Sequence, residues 1–157
     1  MVSCLALVPP AAAAAAGAQA KIIKVLPQFL DAQGRHALAP SLYERDAYQF
    51  YLRKRPGLRL GLRLAVQWKA HGVDWKKTVL RAELRGATDN NLHTITLEQP
   101  VKKCGWFGRW SEFTIEGQRY QTFGQLIAWR VTLLEAGRQI AQQQSFLWSP
   151  FTPSPQP

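Results

Sequence analysis

Residues 58–70, LRLGLRLAVQWKA, alternate without a break. Leu58, Leu60, Leu62, Leu64, Val66 and Trp68 are apolar, and Arg59, Gly61, Arg63, Ala65, Gln67 and Lys69 between them are small, polar or charged. Such a run specifies a β-strand with one buried and one solvated face. At about 100° per residue a helix would scatter the same apolar side chains around its circumference. A strand like this must cover its apolar face with a second layer, so the chain is organised around a sheet.

The rest of the sequence supplies partners of the same kind. Residues 21–31, KIIKVLPQFLD, read as a strand with Ile23, Val25 and Phe29 on one face and Pro27 at an edge, where a missing N–H costs little. Residues 77–86, 93–99, 110–116, 126–134 and 139–148 alternate in turn. Glu135-Ala136-Gly137 joins the last two as a hairpin, with Gly where positive φ is needed. One helix interrupts the pattern. Ser41 and Glu44 have capping-box spacing, and the segment runs to Leu52 or Arg53 before Pro56. Tyr43, Ala47, Phe50 and Tyr51 fall on one side of it, a stripe expected to dock on the sheet or cover its end, with a ligand platform as the alternative. Seven strands with one inserted helix and no βαβ alternation predict a mainly β fold. The expected form is an antiparallel immunoglobulin- or fibronectin-like sandwich, with an up-and-down barrel as the alternative.

The 157 residues suit a single domain over residues 21–148. Residues 1–20 carry no charge and end in Ala18-Gln19-Ala20, the small-x-small pattern of a secretory cleavage site. They are read as a signal peptide or a disordered Ala-rich leader; a lipid anchor on Cys4 is a third reading, and two prolines argue against a spanning helix. The expected location is therefore periplasmic or extracellular. Residues 149–157 hold four prolines and read as a disordered tail. Lys and Arg outnumber Asp and Glu by 20 to 10, a balance that bears on partners rather than on fold.

Residues 26–53, 62–70 and 128–148, including LPQFLDAQGRHALAPSLYERDAYQFYLR and AWRVTLLEAGRQIAQQQSFLW, resemble an uncharacterised family of small exported β-sandwich proteins from Verrucomicrobia and related bacteria. The resemblance implies a bacterial exported protein and brings no activity and no catalytic residues.

Chemistry is hard to find. The only histidines are His36, His71 and His93, and no Gly-x-Ser-x-Gly elbow is present. Pairing Cys104 with His93 would require two turns to meet. The acidic residues are scattered beside arginines, no metal-ligand spacing recurs, and Gly105 and Gly108 lack the lysine of a phosphate-binding loop. No enzymatic activity, cofactor or metal is expected. The strongest contact candidate is KKCGWFGRW, where Lys102, Lys103 and Arg109 accompany Trp106, Phe107 and Trp110. Rings and cations in one loop suit stacking on sugars, a lipid interface or single-stranded nucleic acid. A second candidate is a basic sheet face of Arg59, Arg63, Arg81, Arg85 and Arg130. It forms one patch in a meander and is split in an immunoglobulin topology. On the outer face of residues 58–70, the small Gly61 and Ala65 leave room for the 41–53 helix to lie across the strand.

The expected function is a non-enzymatic exported binding or envelope-interaction module, its partner an anionic envelope component, a glycan or another envelope protein. The alternatives are a nucleic-acid-binding protein acting through its charge, or a hydrolase with an unrecognised site.

Overall fold

The structure is a computed structural model and describes residues 18–89, 91–103, 105 and 107–148. The expectations for Cys4, residues 1–17, Cys104, Trp106 and the Pro-rich tail 149–157 lie outside the described residues. The elements are β1 (Gln19–Leu30), α1 (Leu42–Lys54), β2 (Gly61–His71), β3 (Thr78–Thr88), β4 (Asn91–Pro100), β5 (Arg109–Glu116), α2 (Gly117–Phe123), β6 (Gln125–Glu135) and β7 (Arg138–Gln144). They make a mainly β architecture of two antiparallel sheets, one ordered β1-β2-β5 and the other β4-β3-β6-β7. The β2–β3 and β4–β5 connections cross between the sheets at one end of the sandwich; β5 to β6 crosses at the other, through α2.

β2 is the central strand of its sheet, and its alternation sets the core. Leu62, Leu64, Val66, Trp68 and Ala70 are buried and pack in one cluster with Leu80, Ala82, Leu84, Val131 and Leu133 of the other sheet. The buried Trp68 indole donates from Nε1 to Ser111 Oγ at 2.9 Å, so its polar atom is satisfied. The alternation in sequence starts before the strand does. Pro56–Leu58 form a 3-10 turn, and Leu58 and Leu60 are exposed beyond the end of the core.

β1 is an edge strand, as Pro27 requires, but its inward face differs from the expected one. The register slips between Ile22 and Lys24, so Ile22 opposite Trp68 and Val25 opposite Val66 both face inward. Ile23 occupies the bulge and points out. Strict alternation along residues 21–31 put Ile23 inside, because a bulge breaks the period-two count without leaving a mark in composition.

Three other expectations are corrected. Ser41 is the N-cap of α1, yet its side chain makes no capping bond. Of the residues on α1 only Leu52 is buried, and the stripe of Tyr43, Phe50 and Tyr51 is exposed. β7 stops at Gln144, because Ser145 bonds both backbone groups of Trp129 and the chain turns there. The Ser145 N–H donates to Trp129 O at 2.9 Å, and the Trp129 N–H donates to Ser145 Oγ at 3.0 Å. That turn brings the buried Trp148 ring under the guanidinium groups of Arg85 and Arg130, at 3.9 and 4.9 Å. The β6–β7 hairpin forms as expected, with φ of 48° at Ala136 and 80° at Gly137, the two positive values of a type I′ turn. Helix α2 has no counterpart in the sequence reading. Its two buried residues, Tyr120 and Phe123, are one turn apart, too short a run to declare a period.

The free edge of β1 is closed by a side chain. The Gln49 amide of α1 accepts from the Phe29 N–H at 2.7 Å, and donates to Phe29 O at 3.0 Å and to His36 O at 2.7 Å. It stands in for a neighbouring strand at one residue and ties the 31–41 loop to the same point. Gln49→Ala is expected to lower stability by about 1–3 kcal/mol, because it leaves two strand backbone groups and a loop carbonyl unpaired. Urea unfolding would measure the loss, and amide exchange at Phe29 should accelerate. Unchanged exchange at Phe29 would show that the side chain does not guard the edge.

Candidate functional site

The two ends of the sandwich carry different chemistry. At the end where β2 finishes, residues 101–108 lead from β4 into β5. Val101 is buried and its N–H donates to Thr78 O at 3.2 Å, which anchors the start of the loop. Gly105 and Gly108 form an isolated bridge, and the Gly108 N–H donates to Gly105 O at 3.1 Å. Gly108 has φ of 83°, and a Cβ there would lie 2.6 Å from Trp68 O, so only glycine fits. Arg109 Nη1 donates to Lys103 O at 3.1 Å and closes the loop on itself. Phe107 then stands at its tip, 89% exposed.

Strand register extends this loop into a surface. Trp110, 46% exposed, pairs with Gln67, and Gln67 pairs with Lys24. One step along, Lys21 and Lys69 sit directly opposite each other. The slip at Ile23 puts Lys21 and Lys24, three residues apart, on the same outer face as Trp110. All three lysines are exposed, and no carboxylate pairs with them among the described residues. The first carboxylate along β5 is Glu112, which bonds Arg63. Lys102 and Lys103, in the loop before β5, are also exposed, and the Lys103 carbonyl is bonded to Arg109 next to Trp110. Lys21 and Lys69 pair across 48 residues, which leaves no local signal in the sequence, whereas the composition of residues 102–110 is local.

Of the five arginines of the expected basic face, Arg59 precedes β2, Arg63 lies on β2 and Arg81, Arg85 and Arg130 lie on the other sheet, and each is engaged. Arg59 donates from Nε to Leu52 O at 2.6 Å and from Nη2 to Arg53 O, capping the C-terminus of α1, and lies 4.3 Å over the Phe29 ring. Arg63 bonds Glu112, Gln28 Oε1 at 3.1 Å and His36 Nε2 at 2.8 Å. Arg81 pairs with Glu98 across β3 and β4, and Arg130 holds Glu83 through two bonds of 2.6 and 2.7 Å. Arg85 lies on Trp148. The Arg130 hydrogen bonds hold Glu83 below the usual carboxylate range, and those of Arg63 do the same for Glu112. Opposite charges facing each other across strands make this a braced surface.

At the opposite end, the 31–41 loop and α1 are tied together by one buried carboxylate. Asp31 is 6% exposed. Its Oδ2 accepts from the Tyr48 hydroxyl at 2.6 Å and Arg35 Nε at 2.9 Å, and its Oδ1 from the N–H groups of Gln33 and Arg35 at 2.8 and 2.9 Å. Burial pushes the carboxyl up, but these donors together outweigh it and hold Asp31 well below the usual range. Burial, and then Arg63, lowers the His36 pKa, and its Nε2 accepts from Arg63. The loop thus reaches the outer face of β2 through His36, where the sequence expected the helix to lie. Between the loop, α1 and the 3-10 turn lies a cavity of about 740 Å³, with Leu38, Ala47, Tyr51, Leu58 and Leu60 in its wall.

Among the described residues, no three His, Cys, Asp or Glu side chains are placed to hold a metal ion. His93 lies at the start of β4, while Lys103 and Gly105 follow the far end of that strand. No helix among the described residues is long and apolar enough to cross a membrane. No protein-family model, curated protein or solved structure matches the chain.

Both titrating groups of the loop act in one direction. Each has its folded pKa below its unfolded value, so the stability it adds is complete above that value and lost as pH falls. For His36 the loss begins below about pH 6.5, and for Asp31 below about pH 4. Asp31→Asn should cost about 1–3 kcal/mol at pH 7 and flatten the decline in stability below about pH 4. Urea unfolding across a pH series measures both; equal acid slopes in the two proteins would exclude the carboxylate as a source of acid sensitivity.

Proposed function

We propose that the chain is a non-enzymatic, exported binding module of immunoglobulin- or fibronectin-like type that holds an anionic glycan of the cell envelope. Its strand order supports the sandwich type. It differs from the constant-domain immunoglobulin arrangement in one respect, the fourth strand joining the sheet of the third, sixth and seventh. The uncharged, alanine-rich residues 1–20 support export.

The observation that carries the binding reading is the outer face of Lys21, Lys24, Lys69 and Trp110, continued by Phe107, Lys102 and Lys103. Lysines facing each other across a strand pair repel. Their close placement costs stability unless an anion lies across them, and an exposed indole beside them offers a flat face to a sugar ring. Elsewhere on the sheets the arginines are held by carboxylates or carbonyls or stacked on rings, so these lysines are the charges most open to a partner. Single-stranded nucleic acid presents similar chemistry, phosphates with stackable rings, and is the second reading.

Binding to polygalacturonate, to neutral dextran and to a single-stranded oligonucleotide should be compared by titration at several salt concentrations. Polygalacturonate is expected to bind most tightly and to weaken as salt rises. Lys21→Gln/Lys24→Gln/Lys69→Gln should remove most of the salt dependence, and Phe107→Ala/Trp110→Ala should lower affinity at least about tenfold. Tighter binding to the oligonucleotide would favour the second reading, and binding indifferent to both variants would dismiss this face as the contact.

A further inference from the structure

We infer that the α1 end of the molecule is a docking face for an anionic lipid surface, separate from the lysine face and independent of its partner. Three segments expose apolar side chains there. Leu38 comes from the loop, Leu42, Tyr43, Phe50 and Tyr51 from α1, and Leu58 and Leu60 from the turn before β2. These seven are half of the fourteen large hydrophobics exposed among the described residues. A grouping of that kind marks a contact surface rather than chance exposure.

The orientation of α1 is fixed by its inner residues. Tyr48 is bonded to Asp31, Gln49 to β1, and Leu52 is fully buried. At helical spacing this turns Tyr43, Ala47, Phe50 and Lys54 to the opposite side. Tyr43 is 83% and Phe50 57% exposed. The helix is thus rigidly held with its aromatic side outward, the posture of a helix lying in an interfacial plane.

Charge complementarity selects the occupant. Arg53, Lys54 and Arg55 follow one another at the end of the helix. Lys54 lies 5.5 Å over the Phe50 ring and Arg55 4.1 Å over the Tyr51 ring, so each cation sits beside an apolar group. Of the two carboxylates on α1, Asp46 is paired with Arg45, leaving Glu44 against the three cations. Leucines and tyrosines at headgroup depth, flanked by long basic side chains that reach phosphates, match an anionic bilayer surface. Leu38 of the loop, Ala47 and Tyr51 of α1 and Leu58 and Leu60 before β2 line one cavity, and Tyr43 and Phe50 flank Ala47 at helical spacing, so no separate insertion segment is needed.

The test is co-sedimentation of the full chain with vesicles of phosphatidylglycerol mixed with phosphatidylcholine, and with phosphatidylcholine alone. Strong partition to the anionic vesicles and little to the neutral ones is expected. Tyr43→Ser/Phe50→Ser should reduce partition at least about tenfold, since each ring withdrawn from lipid forfeits a substantial apolar transfer. Both side chains are exposed, so its melting curve should match the parent's. Lys54→Glu/Arg55→Glu should also weaken binding, whereas Lys21→Gln/Lys24→Gln/Lys69→Gln should leave at least half of it. The inference is overturned if the anionic vesicles do not bind, if the serine variant binds as well as the parent, or if the lysine variant abolishes binding. It is equally overturned if sedimentation velocity shows a dimer that the serine variant dissolves, because the patch then belongs to a second copy.

Discussion

Everything in this molecule is arranged about the burial of one side of β2. Leu62, Leu64, Val66, Trp68 and Ala70 are all removed from solvent, and each large one contributes on the order of 1.5–3 kcal/mol by leaving water. Hydrogen bonding to β1 and β5 uses both edges of the strand, so the opposing sheet has only one direction from which to approach. Trp68 raises the demand further, because an indole in the core must find a polar partner, and Ser111 on β5 supplies it. The register of β5 is therefore tied to the same strand, and with it the position of Trp110.

The connection from β1 to β2 solves a different problem. β1 ends a sheet, and an open edge invites pairing with other chains. The Gln49 amide closes it at Phe29, and Asp31, Tyr48 and Arg35 bind the loop to the helix that carries Gln49. These tasks use the polar and inner residues of α1. Tyr43, Phe50 and Tyr51 are left over and exposed, and the helix is held by these hydrogen bonds and by the buried Leu52 rather than by an aromatic stripe.

The distribution of charge follows the same division of labour. On the sheet faces the guanidinium groups are bonded to carboxylates, carbonyls or a ring, which neutralises much of the arginine charge where the sheets need order. The lysines are different: a flexible ammonium gains little from a fixed partner at the surface, and Lys21, Lys24 and Lys69 are left to solvent. The resulting module has a rigid middle and two chemically distinct ends, roughly 35 Å apart along the strands at about 3.3 Å per residue.

The sequence by itself determined the strands, the hairpin at Ala136-Gly137, helix α1 and the inner face of β2, because each is written in neighbours whose spacing has a physical period. It also singled out residues 102–110, since composition is local. Tertiary structure alone decided the bulge at Ile23, which depends on the partner strand and reassigns every side chain before it. It decided which lysines meet, because Lys21 and Lys69 are brought together by pairing and by nothing in their own surroundings. It also decided that α1 shows its aromatics to solvent. A helical stripe specifies a face but not what that face meets, and here Tyr48, Gln49 and the buried Leu52 turn the other side inward.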